Sequence, residues 1–148
     1  MGGSFGASGR IRVWETAGVA KKQKGSSPEH WLAEPEEKDF LAAANYLSLL
    51  FGDEEVASIV EQLRSAPAIQ REASDLLRAS RLELLPETDP VVMKNLKKVA
   101  GGERLSPVLF VRRRAAQPLI VADGYHRICA SYYLDEDIEI SCRLVDSP

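Results

Sequence analysis

The chain has 148 residues, of which 45% are hydrophobic and 28% charged, and a formal net charge of −3, a composition typical of a globular protein of one domain. Its apolar runs are too short to span a bilayer, and its N-terminus lacks the basic-then-apolar pattern of an export signal, so we expect a cytoplasmic protein without a membrane partner. Neither half of the chain has the basic excess of a nucleic-acid-binding protein, so we do not expect nucleic acid as a partner.

The first half of the chain divides into a tail and a helical region. Residues 1–35 are rich in Gly and Ser and are predicted to be a mostly disordered tail. Residues 36–80 are predicted to be a helical extension, because their apolar residues recur at helical spacing. The first helix is expected to stop at Gly52, the second to begin at the capping residue Asp53, and the third to begin at Pro67.

The second half, residues 82–146, is predicted to be a small module of helices packed on a mixed sheet. The fold class is therefore expected to be α+β, with an N-terminal helical layer placed beside this module. The predicted elements of the module are a weakly alternating strand at 82–85, a helix opened by Asp89 and Pro90, apolar strands at 107–111 and 118–122, a helix from Tyr125 and an alternating strand at 138–145.

A strand, a tight turn and a helix start meet at Asp123, Gly124, Tyr125, His126 and Arg127. The first amides of a helix have no internal partner and lie at the positive end of its dipole, where phosphate groups bind. Gly124 allows a ligand to approach the backbone, Arg127 can grip phosphate with its planar fork, and His126 can donate a hydrogen bond. We therefore predict a site for a phosphate-bearing ligand. A purely structural turn, with Asp123 capping the helix and Arg127 paired with a carboxylate, stays open as the alternative.

The order of motifs in residues 84–145 supports the ligand-binding interpretation. A helix opened by Asp89 and Pro90, a strand opened by Pro107, a hairpin and the Gly-Tyr-His-Arg turn at 124–127 follow one another. This order resembles the ParB/sulfiredoxin superfamily and, within it, a bacterial ParB-like family. The resemblance implies a nucleotide ligand, ATP as in sulfiredoxins and free-serine kinases or CTP as in ParB proteins, with Mg²⁺ accompanying it. It also implies that the four turn residues contact the phosphates.

The resemblance suggests further site residues and excludes one activity. Asn95 and Lys94, on the helix that precedes the strands, are additional ligand-binding candidates. Tyr125 stands where sulfiredoxins carry the catalytic cysteine, and a phenol cannot perform that thiol chemistry, so the chain is not expected to be a sulfiredoxin. Asp123 and His126 are the candidate catalytic groups if phosphoryl transfer occurs. With two histidines in the chain, no dedicated metal site is predicted.

Two classes of function remain open. The first is nucleotide or phosphate-ligand binding, with a nucleotide-dependent phosphotransferase as its enzymatic version. The second is a non-catalytic interaction module, in which the acidic helical half binds a protein partner or a second copy of the chain. The arginines at 112–114 are interpreted as a solvent-exposed loop, and Cys129 and Cys142 as reduced, packed thiols.

Overall fold

The computed structural model describes residues 30–114, 116–135 and 137–148, so the predicted tail up to residue 29 lies outside the described residues. The described chain contains five helices and a four-stranded mixed sheet, which confirms the α+β class. The helices are α1 Glu37–Leu47, α2 Asp53–Ser65, α3 Ala73–Ser80, α4 Pro90–Ala100 and α5 Tyr125–Leu134. The strands are β1 Ile69–Glu72, β2 Val108–Arg112, β3 Ile120–Asp123 and β4 Glu139–Asp146.

The sheet has the strand order β1-β4-β2-β3. β4 pairs antiparallel with β1 and parallel with β2, and β2 pairs antiparallel with β3 through a register shift between Leu109 and Phe110. β3 is therefore an edge strand, and its outer side is not covered by another strand of this sheet.

Helices cover both faces of the sheet. Successive side chains of a strand point to opposite faces, so apolar residues of one strand can pack against helices on both sides. Val108 and Phe110 of β2 pack with α3, α4 and α5, whereas Leu109 and Val111 pack with α1 and α2. β3 contributes Ile120 and Ala122 to the α1 side. The interior thus consists of two apolar clusters separated by the sheet. None of the helices in the described ranges is long and apolar enough to cross a bilayer.

The predicted third helix is wrong at its start. Instead of a helix from Pro67, the chain forms the short strand β1, which pairs with residues 139–142 of β4, and α3 begins only at Ala73. The helical spacing of the apolar residues concealed this strand. Its central residues, Gln70 and Arg71, are exposed, so β1 is held by backbone pairing with β4 and lacks the alternating burial that would reveal it in the sequence.

The predicted strand at residues 82–85 is absent. The backbone carbonyls of Glu83 and Leu85 instead accept hydrogen bonds from the hydroxyls of Tyr125 and Tyr133 on α5. These side chains satisfy polar groups that a neighbouring strand would otherwise pair. The segment therefore lies against α5 as an irregular connection.

Two predicted helix starts are confirmed, whereas α1 ends at Leu47, with Ser48 as its C-cap, and does not continue to Gly52 as predicted. α2 begins at Asp53, but its N-cap is Gly52, whose amide donates to Glu55 Oε1 at 3.1 Å, so the prediction that Asp53 caps this helix is wrong. α4 begins after Asp89, whose Oδ1 accepts hydrogen bonds from the amides of Val91 and Val92 at 2.9 and 3.0 Å. At the N-terminal end of the described chain, Trp31 is buried and forms an isolated bridge with Leu105, so the chain joins the fold before residue 35.

Candidate functional site

The predicted turn lies where β3 meets α5. Gly124 is the N-cap of α5 and has a φ of 120°, a conformation that residues with a side chain rarely adopt. A Cβ at this position would lie 2.8 and 2.9 Å from the two methyl carbons of Val108 and 3.0 Å from Nη2 of Arg127. Position 124 therefore requires glycine for two reasons: the positive backbone angle and the close packing of β2 beneath the turn.

The N-terminus of α5 is uncapped within the described residues. The N-cap makes no side-chain hydrogen bond, and the first turn contains no acidic residue. No side chain of the described ranges accepts from the amides of Tyr125, His126 or Arg127, and the first backbone bond of the helix runs from the Ile128 amide to the Gly124 carbonyl. Three unpaired donors thus stand at the positive end of the helix dipole, an arrangement that favours an anion.

A groove of about 460 Å³ runs along β3 and ends at this helix terminus. We name it the β3 groove. All four residues of β3 line it, between one wall from α1 and another from the end of α3 and the start of α5. The remaining lining residues are Ala42, Tyr46, Leu50, Ser80, Leu82, Arg113, Pro118, Leu119, Gly124, Tyr125 and His126. The groove therefore combines apolar walls with amides and a histidine at one end and an arginine near the other.

Arg127 does not face the β3 groove. Its Nη2 donates to the Pro107 carbonyl at 3.2 Å and to Asp123 Oδ2 at 3.1 Å, and its Nη1 lies 3.9 Å from Oδ1 of Asp39 on α1. The guanidinium is thus held by two carboxylates and a carbonyl beneath the turn. This arrangement does not support the expectation that Arg127 grips a phosphate. Of the structural alternative stated from the sequence, the pairing of Arg127 with a carboxylate is present, whereas Asp123 does not cap the helix, whose N-cap is Gly124.

The same contacts affect the protonation of the Asp123 carboxyl group. Burial raises the pKa of its carboxyl group, the Arg127 guanidinium opposes that shift, and the nearby Asp39 carboxyl adds to it. Asp39 is itself buried and accepts a hydrogen bond from the Glu36 amide at 2.8 Å. Two carboxyl groups therefore share one guanidinium, and the cluster joins α1, β3, the start of β2 and α5.

The other side chains of the turn have different surroundings. The hydroxyl of Tyr125 donates to the Glu83 carbonyl, and burial raises the pKa of this phenol. The rings of Tyr125 and His126 are 5.6 Å apart between centroids. Both residues line the β3 groove, so His126 is the sequence-predicted side chain best placed to meet a ligand there.

The two candidates on α4 are not brought to this groove. Asn95 is buried within the α4 layer and Lys94 is exposed, and neither lines the β3 groove. Cys129 and Cys142 are unpaired and buried, as predicted; burial raises the pKa of both thiols, that of Cys142 to about 12. Among the described residues there is no group of three or more His, Cys, Asp or Glu side chains that could hold a metal ion.

Sequence reasoning missed the contribution of α1. Tyr46 and Leu50 form a wall of the β3 groove, and Asp39 completes the Arg127 cluster. The structure leaves Tyr46 and Leu50, large apolar residues at and just after the C-terminal end of α1, 45% and 43% exposed, which the sequence pattern alone does not show. Exposed apolar side chains that lie together are typical of binding surfaces.

No family model, no curated protein and no solved structure matches the chain.

Proposed function

We propose that the chain is a ParB/sulfiredoxin-like protein that binds a phosphate-bearing ligand, such as a nucleotide, in the β3 groove. The phosphate lies against the amides of Tyr125, His126 and Arg127, and the apolar part of the ligand lies between α1 and Leu82. The observation that carries this proposal is the meeting of three uncapped amides with the end of a groove of about 460 Å³, a volume within the usual range for small-molecule sites.

The order of elements supports the ParB/sulfiredoxin-like part of the proposal. The Asp89-Pro90 motif opens α4, Pro107 directly precedes β2, β2 and β3 form the hairpin, and the Gly-Tyr-His-Arg turn opens α5. Each motif that carries the resemblance therefore coincides with the element that the resemblance implies. We also propose a cytoplasmic location, on the basis of the unpaired Cys129 and Cys142.

The site supports binding better than phosphoryl transfer. Asp123, the candidate base, is hydrogen-bonded to Arg127, and the Tyr125 hydroxyl is bonded to the Glu83 carbonyl. Asp123 is also the single acidic residue among the described residues that line the β3 groove, which does not suit a magnesium site built by the protein. A magnesium ion accompanying a nucleotide would have to be held by the phosphates and water.

A thermal-shift screen with ATP, CTP, GTP and phosphosugars, with and without Mg²⁺, tests the proposal. A ligand at 100 times its Kd stabilises the folded state by about 2.7 kcal/mol, which corresponds to a Tm increase of roughly 5–10 °C for a chain of this size. We expect His126→Ala to reduce this shift and Lys97→Ala, which removes an exposed charge on α4, to leave it unchanged. Lys94→Ala separates the two placements of the ligand: a loss of the shift in that variant alone would move the ligand to α4 and contradict the β3 groove.

A further inference from the structure

The outer edge of β3 is available for a further strand. β3 is the last strand of the sheet, and Leu119, directly before it, donates its amide to the Ala79 carbonyl. On the side away from β2, no backbone hydrogen bond from residues 30–114, 116–135 or 137–148 reaches Ile120–Asp123. Natural sheets usually protect such edges, because an unpaired edge is a template for pairing with another chain.

The walls of the β3 groove would enclose an added strand on both sides. Tyr46 of α1 and Leu50, in the turn that follows α1, lie on one side, and Leu82 and Tyr125 lie on the other. Side chains of an extended segment alternate between two directions, so successive residues of an added strand would contact the two walls in turn. Apolar side chains fit both walls.

The charge at the ends of the groove selects the occupant. The start of α5 provides unpaired amides and His126 at one end, and Arg113 lines the groove near the start of β3. Asp123, the acidic lining residue, is already paired with Arg127. An antiparallel pairing of β3 with β3 of a second copy would bring the α5 terminus of each copy towards Arg113 of the other, which is unfavourable between positive groups.

We propose that the β3 groove binds an extended peptide segment of a protein partner, which adds to β3 as a fifth strand and carries apolar residues flanked by acidic ones. This interaction needs no phosphate ligand, so it goes beyond the function proposed above, although both occupants would compete for the amides at the start of α5. The edge supplies backbone hydrogen bonds, the walls select apolar side chains, and the two ends select acidic flanks.

Fluorescence anisotropy with two labelled peptides tests the inference on the full chain. Both peptides alternate valine and leucine; one is flanked by glutamates and the other by lysines. We expect the glutamate-flanked peptide to bind at least about tenfold more tightly than the lysine-flanked one, since a tenfold difference requires only a modest difference in interaction with the ends of the groove. Equal binding of the two peptides, or no binding of the glutamate-flanked one, would overturn the proposal.

A matched pair of variants locates the peptide. Leu50→Glu places a charge in the wall of the groove, whereas Leu49→Glu places the same charge on the neighbouring residue, which is 79% exposed and does not line the groove. We expect Leu50→Glu to weaken peptide binding by about tenfold or more and Leu49→Glu to have little effect. Equal losses in the two variants would place the peptide elsewhere and refute the inference.

Hydrogen exchange and sedimentation address the other occupants. The outer amides of residues 120–123 should exchange rapidly in the free chain and become protected by the glutamate-flanked peptide. Protection in the free monomer would mean that the chain itself covers this edge, and a dimer that Leu50→Glu dissociates would mean that a second copy does; either result overturns the peptide proposal. A chain that binds nucleotide but not peptide refutes this inference alone, and a chain that binds peptide but no phosphate ligand refutes the proposed function alone.

Discussion

Replacing Gly124 with alanine tests the packing on which the turn depends. The φ of 120° strains any residue with a side chain, at a cost of about 1–3 kcal/mol. The new Cβ would also lie 2.8 Å from Val108 Cγ1 and 2.9 Å from Cγ2, and such overpacking of a buried site costs about 1–3 kcal/mol more. We therefore expect Gly124→Ala to lower the free energy of unfolding by about 2–6 kcal/mol, a large part of the roughly 5–15 kcal/mol of a typical domain.

Gly102→Ala is the matched control for this experiment, and urea unfolding followed by circular dichroism is the assay. Gly102 has a φ of 90°, but a Cβ there would meet nothing within 4 Å, so its substitution costs only the backbone strain. The difference between the two variants measures the contacts of the new Cβ with Val108 and with Nη2 of Arg127, and adding Val108→Ala to Gly124→Ala should recover the Val108 part. Equal midpoints for the two glycine variants would show that Val108 does not constrain the turn.

Two further predictions concern the cluster beneath the turn. Arg127→Ala leaves the Asp39 and Asp123 carboxyl groups without their cation, so we expect a loss of about 3–5 kcal/mol in chemical unfolding; a variant as stable as the wild type would mean that Arg127 is free to serve a ligand. The pKa of Asp123 is raised in the folded state, so the folded protein binds more protons than the unfolded one above the usual carboxyl range. Stability should therefore fall as pH rises through that raised pKa, and Asp123→Asn should flatten this part of the profile of unfolding free energy against pH; an unchanged profile would assign the dependence to another group.

The parts of the fold that the sequence could predict are those whose signals are local. Asp89 before Pro90 caps α4, as predicted, because capping depends on atoms a few residues apart. The apolar runs that form β2 and β3 were also recognisable, because each is one short continuous stretch of the sequence. β1 escaped prediction because its formation depends on pairing with β4, about 70 residues later in the chain.

The candidate site likewise has one part that the sequence predicts and one part that it does not. The position of the turn and its requirement for Gly124 follow from a short motif, and the structure agrees with both. The partner of Arg127 on α1, Asp39, could not be identified, because the two residues lie far apart in the sequence and only the packing of α1 on β3 brings them together. For the same reason Arg127 was expected to face a ligand, whereas the folded chain holds it beneath the turn.

The most direct test of the ligand site is a titration of the ¹⁵N-labelled chain with ATP, followed through its backbone amide resonances. We predict that the amides of Tyr125, His126 and Arg127 show the largest chemical-shift changes and that these changes saturate together, because these donors are uncapped at the end of the β3 groove. Resonances of these three amides that stay unmoved while those of α4 shift and saturate would contradict a phosphate site at the start of α5.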